Sequence, residues 1–362
     1  MVTGILSLCF CGMNAQSSEE MEAILRLTGC DAPENLDEYE VERLYHWLEH
    51  PVRINTMSVS DLRSCGLFSA YQAASLYDYR SRHGDVMSLS ELSSIDGFNK
   101  DTVEALAPFI SLQGGDVGLH GSMFSHDLAV KGGASLKEGS AGGNYGLKYK
   151  FEMSDRISVA VSASRSASAA SVVPDMYSGH LSWKMKGLPV RLMAGDFNAR
   201  FGQGLALWNG FSMSGLGKTS SFLKSSSGLS SSWSFTGSSA FTGVTGEVSV
   251  SRMRLSVLVA FPGIRTKGLS GATVLPAVNL GWYGRAMTMS LTHYLEFVPA
   301  SGGISAYIPD MKTSFDVTMC LRGVDIFSEV AFDWVNMTPA ALTGVVFPYG
   351  EELRMAAHLR YY

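Results

Sequence analysis

The sequence is poor in charge, in paired cysteines and in long apolar runs, and each shortage excludes a class of protein. Charged residues are 17% of the 362 residues, against about 25% in an average soluble domain. No uncharged apolar run of about 18 residues follows the first fifteen residues, which argues against a membrane-spanning helix. The five cysteines form no Cys-x-x-Cys pair and have no histidine cluster beside them. We therefore expect neither a disulfide framework nor a zinc site.

Motifs for catalysis and cofactor binding are missing as well. The sequence has no Gly-x-Ser-x-Gly elbow, no metal-spaced histidines and no phosphate loop. Asp196, Arg200 and Gln203 form a polar group near a predicted strand end, but a barrel wall needs inward-facing polar residues in any case. We predict no cofactor, no metal and no catalytic residue, and keep a barrel hydrolase as an alternative.

What is present is glycine, serine and alternating apolar residues. The 38 glycines, together with the low charge and the lack of a spanning helix, favour a β-rich membrane protein. A soluble all-β protein with an adhesive surface has a similar composition and stays open at this point.

Residues 1–15 are typical of a secretory signal peptide. An apolar core ends in Ala15, a small residue suited to cleavage before Gln16. No Lys or Arg precedes Arg26, so the usual positive segment is missing from this leader.

The rest of the chain divides into halves of opposite charge and different periodicity. Residues 16–115 hold seventeen acidic and seven basic residues, a net charge of −10 that leaves +5 for the remainder. Before Gly114-Gly115 the apolar spacing is helical, and after it apolar residues alternate. We predict a helical domain over 16–115 and a β domain over 117–362.

A twofold repeat occupies residues 53–112 of the helical half. Each copy has a short helix, a Gly-apolar turn and a second helix; the turns contain Gly66-Leu67 and Gly97-Phe98. Ser88 and Glu91 have capping-box spacing, and Asn99 is placed to cap the last helix. The glycines stand where a turn needs positive φ or close backbone approach.

This pattern resembles the tandem helix-hairpin-helix module of competence DNA receptors. The resemblance implies that the hairpins at Gly66, Leu67, Gly97 and Phe98 contact DNA or protein, and that phosphates are contacted by Arg80, Arg82 and Lys100. The second hairpin glycine of that module is replaced here by Phe68 and by Asn99, and acidic residues outnumber basic ones. Because an acidic surface opposes phosphate approach, we favour a domain for protein contact and keep DNA binding as the alternative.

The 246 positions from Val117 to Tyr362 accommodate about 12–14 strands of a membrane barrel. Aromatic residues cluster near predicted strand ends, as in the aromatic girdles of such barrels. The Ser- and Gly-rich residues 212–239 interrupt the pattern and are either a long extracellular loop or a segment folded into the lumen. The predicted strands are Asn144–Glu152, Arg156–Ser164, Tyr177–Lys184, Val190–Phe197, Leu205–Phe211, Thr242–Ser249, Arg254–Ala260, Leu275–Trp282, Ala286–Tyr294, Phe315–Leu321, Ile326–Phe332 and Leu342–Phe347, with a further alternating segment from Leu353 to Tyr361.

The residues before this interruption resemble the barrel signature of Bacteroidota-type outer-membrane proteins that carry an N-terminal helix-hairpin-helix domain. The signature residues are Gly195, Asp196, Arg200, Gly202, Gln203 and Gly204. The resemblance implies an antiparallel transmembrane β-barrel in the outer membrane, with the helical domain in the periplasm. Members of that family are considerably longer, so we expect a shortened barrel or a fragment.

These expectations define three functions. The first is a barrel in outer-membrane lipid whose periplasmic domain docks another envelope protein in assembly, secretion or transport. The second is a DNA-uptake receptor that uses the helix-hairpin-helix module. The third is a small-solute channel or the barrel hydrolase.

Overall fold

The computed structural model describes residues 19–28, 38–49, 51–57, 59–113, 124–137, 140–153, 156–166, 173–209, 222–224, 226–233, 240–268, 272–284, 287–299, 306–321, 324–349 and 353–362. The predicted signal peptide lies outside these residues. The chain forms two compact units, Met1–Gly118 with Ser212–Phe222, and Leu119–Phe211 with Leu223–Tyr362. We call them the helical unit and the sheet unit.

The helical unit contains six described α-helices and a pair of two-residue strands. No helix among the described residues is long and apolar enough to cross a membrane. The helices are α1 (19–28), α2 (Glu38–Glu49), α3 (Val59–Ser64), α4 (Ala70–His83), α5 (Leu89–Ser93) and α6 (Lys100–Leu106), and the parallel strands are β1 (Val52–Arg53) and β2 (Ile110–Ser111).

The predicted repeat is present as α3–turn–α4 and α5–turn–α6. Asn99 caps α6 by accepting a hydrogen bond from the Thr102 N–H at 2.7 Å, and Ser88 caps α5 through the Glu91 N–H at 3.1 Å, as predicted. Ser69 and Gln72 form an additional, reciprocal capping box on α4. Both copies contribute to one apolar core. It includes Val52, Ile54, Leu62, Phe68, Ala73, Leu76, Val86, Leu92, Ile95, Phe98, Val103, Leu106 and Ile110.

Asn55 joins the two copies through buried hydrogen bonds. Its Nδ2 donates to the carbonyl oxygens of Val86 (2.9 Å) and Leu112 (2.7 Å), and its Oδ1 accepts from the Val86 N–H (2.9 Å). These backbone groups lie 31 and 57 residues away along the chain. One side chain therefore ties the start of the repeat to its middle and its end.

The sheet unit is a 14-stranded antiparallel sheet. Its strands are β3 (Phe124–Lys137), β4 (Ser140–Met153), β5 (Ile157–Arg165), β6 (Met176–Lys184), β7 (Val190–Arg200), β8 (Gly228–Ser231), β9 (Phe241–Val250), β10 (Met253–Ala260), β11 (Leu275–Tyr283), β12 (Met287–Pro299), β13 (Ala306–Leu321), β14 (Val324–Asp333), β15 (Thr338–Tyr349) and β16 (Leu353–Tyr361), with a one-turn helix α7 (Ile264–Lys267) between β10 and β11.

Thirteen of these strands follow one another as neighbours from β3 to β16, while the short β8 pairs only with β7. Each register is antiparallel, as in an up-and-down barrel. Because the path holds an odd number of strands, β3 and β16 run in the same direction. Among the described residues no register joins these two end strands.

The sheet is apolar outside and polar inside, the reverse of a soluble protein. In β10, Arg254 and Ser256 are buried, whereas Leu255 and Val257 are exposed. Further buried polar residues on the inner face are Lys148, Lys150, Ser162, His180, Thr245, Glu247, Asn279, Thr288, Ser290, Thr292, Ser314, Asp316 and Glu329. Exposed apolar residues on the outer face include Leu147, Val161, Leu181, Trp183, Leu192, Val244, Val248, Val278, Leu280, Leu291, Phe315 and Val330. This alternation is that of an antiparallel transmembrane β-barrel.

The strand predictions hold with two kinds of exception. Strand β3 was missed because the segment Gly132-Gly133 weakens its apolar alternation, and β8 was missed inside the Ser-rich interruption. The predicted strand Leu205–Phe211 is wrong in its described part: residues 202–207 form turns and Trp208 makes an isolated bridge to Arg200. The glycines at 202 and 204 adopt positive φ there, which a regular strand does not allow.

We expect Asn55→Ala to destabilise the helical unit by about 3 kcal/mol, because it leaves three buried backbone groups without their partner. Limited proteolysis of the full chain against urea concentration measures this change. Thr56→Ala is the matched control, since the exposed Thr56 hydroxyl bonds a carbonyl only three residues away. Equal protease resistance of both variants would contradict the role of Asn55.

We expect Leu291→Arg on the outer face of β12 to destabilise the barrel in a bilayer by about 2–4 kcal/mol, and Val335→Arg in the β14–β15 turn by about 0–1 kcal/mol. The difference arises because a charge costs most at the bilayer midplane. Urea titration of the protein folded into vesicles measures both values. A Leu291→Arg variant as stable as Val335→Arg would show that this face does not meet lipid.

Candidate functional site

Strand β7 separates from β6 at Gly195, while its pairing with β9 continues to Phe197. This glycine has φ 102° and is the last residue of β7 that is paired with β6. A Cβ at this position would collide with the carbonyl oxygen of Gly179 on β6. Beyond it, all five residues Asp196–Arg200 are buried, and Phe197–Arg200 pair with β8. The glycine therefore lets the strand turn from the wall into the interior.

Asp196 holds three separate elements at this turning point. Its Oδ2 accepts from the Ser178 hydroxyl (2.7 Å) and the Gly179 N–H (2.8 Å) on β6, and its Oδ1 accepts from the Thr242 hydroxyl (2.6 Å) on β9. The guanidinium of Arg265 on α7 forms an ion pair with the same carboxylate. A buried carboxylate with this many donors fixes the geometry of the elements around it.

The chain that follows β7 fills part of the barrel interior. We call residues 201–209, 223–224 and 226–233 the plug. Its residues contact inner-face side chains of well-separated strands: Gln203 meets Glu329 on β14, Leu229 meets Arg191 on β7, and Trp233 lies against Lys148 and Lys150 on β4. The described part of the Ser-rich interruption thus packs against the inner wall, the second of the two alternatives considered for it.

Asn209 and Gln203 hold the two halves of the plug in place. The Arg200 Nε donates to the Asn209 carbonyl oxygen (3.2 Å), and Asn209 Nδ2 donates to the Phe197 carbonyl oxygen (3.3 Å). Gln203 Oε1 accepts from the Lys224 N–H (3.0 Å), while its Nε2 donates to the Lys224 carbonyl oxygen (3.3 Å). Such a reciprocal amide pair mimics a strand pairing between the two halves.

Cations and aromatic rings complete the interior. Two cations lie near the Trp208 ring: Lys224 Nζ is 5.0 Å and the guanidinium carbon of Arg200, at the end of β7, is 5.8 Å from its centroid. On the wall, Glu247 accepts a hydrogen bond and ion pair from Arg191 (3.3 Å), and its other oxygen lies 3.7 Å from Arg254. Charges buried in this way are paired, as burial requires.

The described residues hold no group of three or more His, Cys, Asp or Glu side chains that could bind a metal ion. The interior instead presents hydroxyls, amides and paired charges. Such a surface supports packing against the plug or contact with a polar solute.

The hairpins of the helical unit form a second candidate surface. Gly66 and Gly97 have φ 73° and 88°, as the predicted turns require. A Cβ on Gly66 would collide with the Arg43 guanidinium, and one on Gly97 with the Tyr71 ring. Phe98 is buried in the apolar core, and Leu67 packs against the same core. The apolar hairpin residues therefore stabilise the fold from within.

The three candidate phosphate contacts have different surroundings. Arg80 donates to the carbonyl oxygens of Met57 (2.7 Å) and Asn55, and burial lowers the pKa of its guanidinium below the ordinary value. Arg82 is exposed and forms an ion pair with Asp78 at 3.0 Å, and Lys100 is exposed with Glu104 at 3.9 Å. The structure therefore leaves Arg82 and Lys100 at the surface, each beside an acid, and uses Arg80 inside the unit.

Tyr79, adjacent to Arg80, links the two copies by another route. Its hydroxyl donates to Glu91 Oε1 (2.7 Å), and the Met87 N–H donates to Glu91 Oε2 (2.8 Å). These donors lower the pKa of the Glu91 carboxyl below its ordinary value. Glu91 was expected to complete a capping box with Ser88; its side chain instead joins α4 to α5.

The thiol of Cys65 lies within the first hairpin. Its Sγ donates to the Leu62 carbonyl oxygen at 2.9 Å, and burial raises the pKa of the thiol to about 11. A thiol that stays protonated at neutral pH is unreactive. Cys65 is therefore a small core residue, as its apolar neighbours in the sequence indicate.

The structure brings the six barrel-signature residues into one continuous region. Gly195 and Asp196 lie where β7 separates from β6, Arg200 ends β7, and residues 202–204 form the turn that reaches β14. Sequence reasoning missed Glu329 and Lys224, which complete the region together with Asn209. Glu329 lies 126 positions from Gln203, and no local pattern marks it.

Comparison with known proteins identifies a helix-hairpin-helix motif in the helical unit. Residues 49–111 match the family model described as "Helix-hairpin-helix motif". No match to this chain was found among the curated proteins. Mutants of Rhodopseudomonas blastica porin are similar solved structures: two triple mutants have TM-scores of 0.28 and 0.27 and identities of 10% and 11%, each covering 66% of this chain and 94% of that chain. TM-scores this low establish neither a common function nor a common architecture.

We expect Gly195→Ala to prevent folding of the barrel or to cost at least about 3 kcal/mol, because the Cβ meets a backbone oxygen and φ is unfavourable. Heat-modifiable gel mobility of the refolded protein measures the folded fraction. Gly246→Ala on neighbouring β9 is the control, since its Cβ would contact just a flexible Leu192 methyl at 3.4 Å. A normal folded band for Gly195→Ala would contradict the role of this glycine.

Proposed function

We propose that the protein is a plugged outer-membrane β-barrel that takes part in gated transport and docks an envelope partner through a periplasmic helix-hairpin-helix domain. The observation that carries the proposal is the inverted sheet: apolar side chains face outward, while buried polar side chains face a plug built from the chain itself. An apolar outer band matches lipid, and a polar interior matches an aqueous path.

The plug favours gated transport rather than a permanently open pore. Its two halves are joined to each other through Gln203 and Lys224 and to the wall through Glu329 and Leu229. The plug also packs Phe201, Leu207 and Leu229 into an apolar cluster with inner-face residues such as Leu258 and Leu275. Water replaces the polar contacts at modest cost, whereas withdrawal of the apolar side chains from this cluster is unfavourable, which favours a closed resting state.

The helical unit supports protein docking. Residues 16–115 carry a net charge of −10, and Arg80, the most central of the candidate phosphate contacts, is engaged by backbone carbonyl oxygens. A basic protein surface suits this domain better than a polyphosphate does.

DNA binding remains the second candidate because residues 49–111 match the helix-hairpin-helix family and both hairpin glycines have the turn conformation. Lys100 and Arg82, which are exposed, are the residues on which it would depend. Salt-sensitive binding weakened by substitution of these two residues would favour it.

We expect the mature chain to fractionate with the outer membrane and to migrate faster on gels before heating than after, because an intact barrel resists detergent. Protease added to intact cells should spare the helical unit if it is periplasmic. Purification of the chain as a freely soluble protein without detergent would contradict the barrel in lipid.

We expect the wild-type barrel to conduct little in planar bilayers and a plug-replaced variant to conduct strongly. Replacing residues 198–240 by a short Gly-Ser linker is compatible with the fold because β7 and β9 are direct neighbours through Phe197 and Phe241. Heat-modifiable mobility confirms that the variant is folded. A folded variant that stays silent would exclude a transport path through the interior.

We expect the mature protein in detergent to shift neither single- nor double-stranded DNA at low salt, since its acidic unit repels phosphates. Electrophoretic mobility measures this, with Lys100→Ala/Arg82→Ala as the matched variant. A shift abolished by these two substitutions would establish the DNA-binding candidate instead.

Reciprocal cross-linking of the helical unit to an identified periplasmic or outer-membrane protein tests docking. Absence of such a cross-link in intact cells would count against the docking role of the helical unit.

A further inference from the structure

One end of the plug makes a specific contact with the barrel wall opposite its root. The N–H groups of Gln203 and Leu205 donate to Oε2 of Glu329 at 2.7 and 3.0 Å. The Ala206 N–H and the Ser314 hydroxyl also lie near this carboxylate. Glu329 is 1% exposed, and its strand β14 lies six places from β7 in the sheet order.

The turn is shaped to receive a carboxylate. Gly202 and Gly204 have φ 61° and 87°, so successive N–H groups point to the same side of the backbone. A Cβ on Gly202 would come within 2.9 Å of the Glu329 carboxylate. Two glycines of the barrel signature are therefore needed for the turn to approach this carboxylate.

The charge of Glu329 is stabilised by these donors. No ion pair within 4.0 Å involves Glu329 among the described residues, although Lys224 of the plug contributes a favourable electrostatic interaction. A buried carboxylate is costly unless hydrogen bonds replace its water. Withdrawal of the turn would remove two backbone donors from Glu329 together, so the carboxylate and the turn stabilise each other.

Further wall contacts of the plug lie near the point where it is joined to β7. Arg191 on β7 donates to the Leu229 carbonyl oxygen at 2.8 Å, and His180 on β6 lies 3.3 Å from the Ser232 carbonyl oxygen. Strand β8 is paired with β7 itself. The plug is therefore rooted at β6–β7 and held by Glu329 on β14, while Trp233 lies against β4 and an apolar cluster packs the plug against β10 and β11.

We propose that the Gln203–Ala206 turn is a gate whose closed position is held by Glu329. This inference rests on the proposed function and names the residue that controls the same interior. Loss of the negative charge at position 329 weakens every donor contact at once, because hydrogen bonds to a charged acceptor are about twice as strong as those to a neutral one. The turn then leaves β14, while the root at β7 stays in place.

The experiment compares Glu329→Gln with Asp316→Asn in the full mature barrel reconstituted in vesicles. Asp316 is the directly paired neighbour of Glu329 on β13, is equally inward and buried, and bonds Ser290 of the wall. Both substitutions remove one negative charge at the same depth. A single reporter cysteine, Ala206→Cys, is placed in a background whose other cysteines are replaced by alanine, and its labelling by a membrane-impermeant maleimide is timed.

We expect Glu329→Gln to raise the labelling rate at Ala206→Cys at least tenfold and to increase conductance, with Asp316→Asn within twofold of the parent. Leu205→Pro is the second variant: it deletes one donor to Glu329 and leaves every strand of the wall unchanged. Leu205→Pro replaces Glu329→Gln as the test of the gate if Glu329→Gln fails to give the folded, heat-modifiable band.

Unchanged labelling in a folded Glu329→Gln barrel, or in Leu205→Pro where the first does not fold, would overturn the gate. So would an equal rise in Asp316→Asn, because it would trace the effect to charge removal in general. The labelling readout does not depend on transport. A faster-labelled turn with a silent plug-replaced barrel would therefore contradict the proposed function while leaving the contact at Glu329 intact.

Discussion

The structure of the sheet unit depends on one constraint: in lipid, each backbone N–H and C=O must find its partner within the protein. Thirteen strands meet it by pairing with their chain neighbours in antiparallel registers. Once the backbone is satisfied in this way, alternate side chains must face opposite environments. Leu255 and Val257 then face outward, and Arg254 and Ser256 face inward. The inverted distribution of polarity follows from the pairing, and it leaves a polar interior in need of partners.

The plug supplies those partners, and it does so because β7 separates from β6 at a glycine. The positive φ of Gly195 redirects the strand, and Asp196 secures the exit to β6, β9 and α7. From there the turn at residues 202–205 reaches Glu329. Polar groups on both sides satisfy one another, and Phe201, Leu207 and Leu229 of the plug pack with apolar residues of the inner wall. Hydrogen bonds and apolar packing together hold the plug in the barrel.

In the helical unit, residues of the helix-hairpin-helix motif stabilise the fold of the domain. The hairpins retain their glycine conformation, yet Phe68 and Phe98 are in edge contact inside the core, with ring centroids 6.1 Å apart. Tyr79 and Arg80, which end α4, reach Glu91 and the carbonyl oxygens of Asn55 and Met57. Together with the clamp at Asn55, these contacts tie two short repeats into one core. Of the three candidate phosphate contacts, Arg80 holds the repeat together, whereas Arg82 and Lys100 lie at the surface beside acidic residues.

The sequence alone determined what depends on local spacing. Helix caps, hairpin glycines, the change from helical to alternating periodicity, and most strands of the barrel follow from residues within one or two turns or strands of each other. Only the tertiary structure decided what depends on distant partners. Glu329 is an ordinary inward residue of β14 until Gln203 and Leu205 meet it, and Leu205 looks like the start of a strand until two left-handed glycines bend the chain. The reason is physical. The spacing of apolar residues shows which environment a side chain faces, whereas the donors that bind a buried carboxylate such as Glu329 come from residues that only the folded sheet of thirteen strands brings close to it.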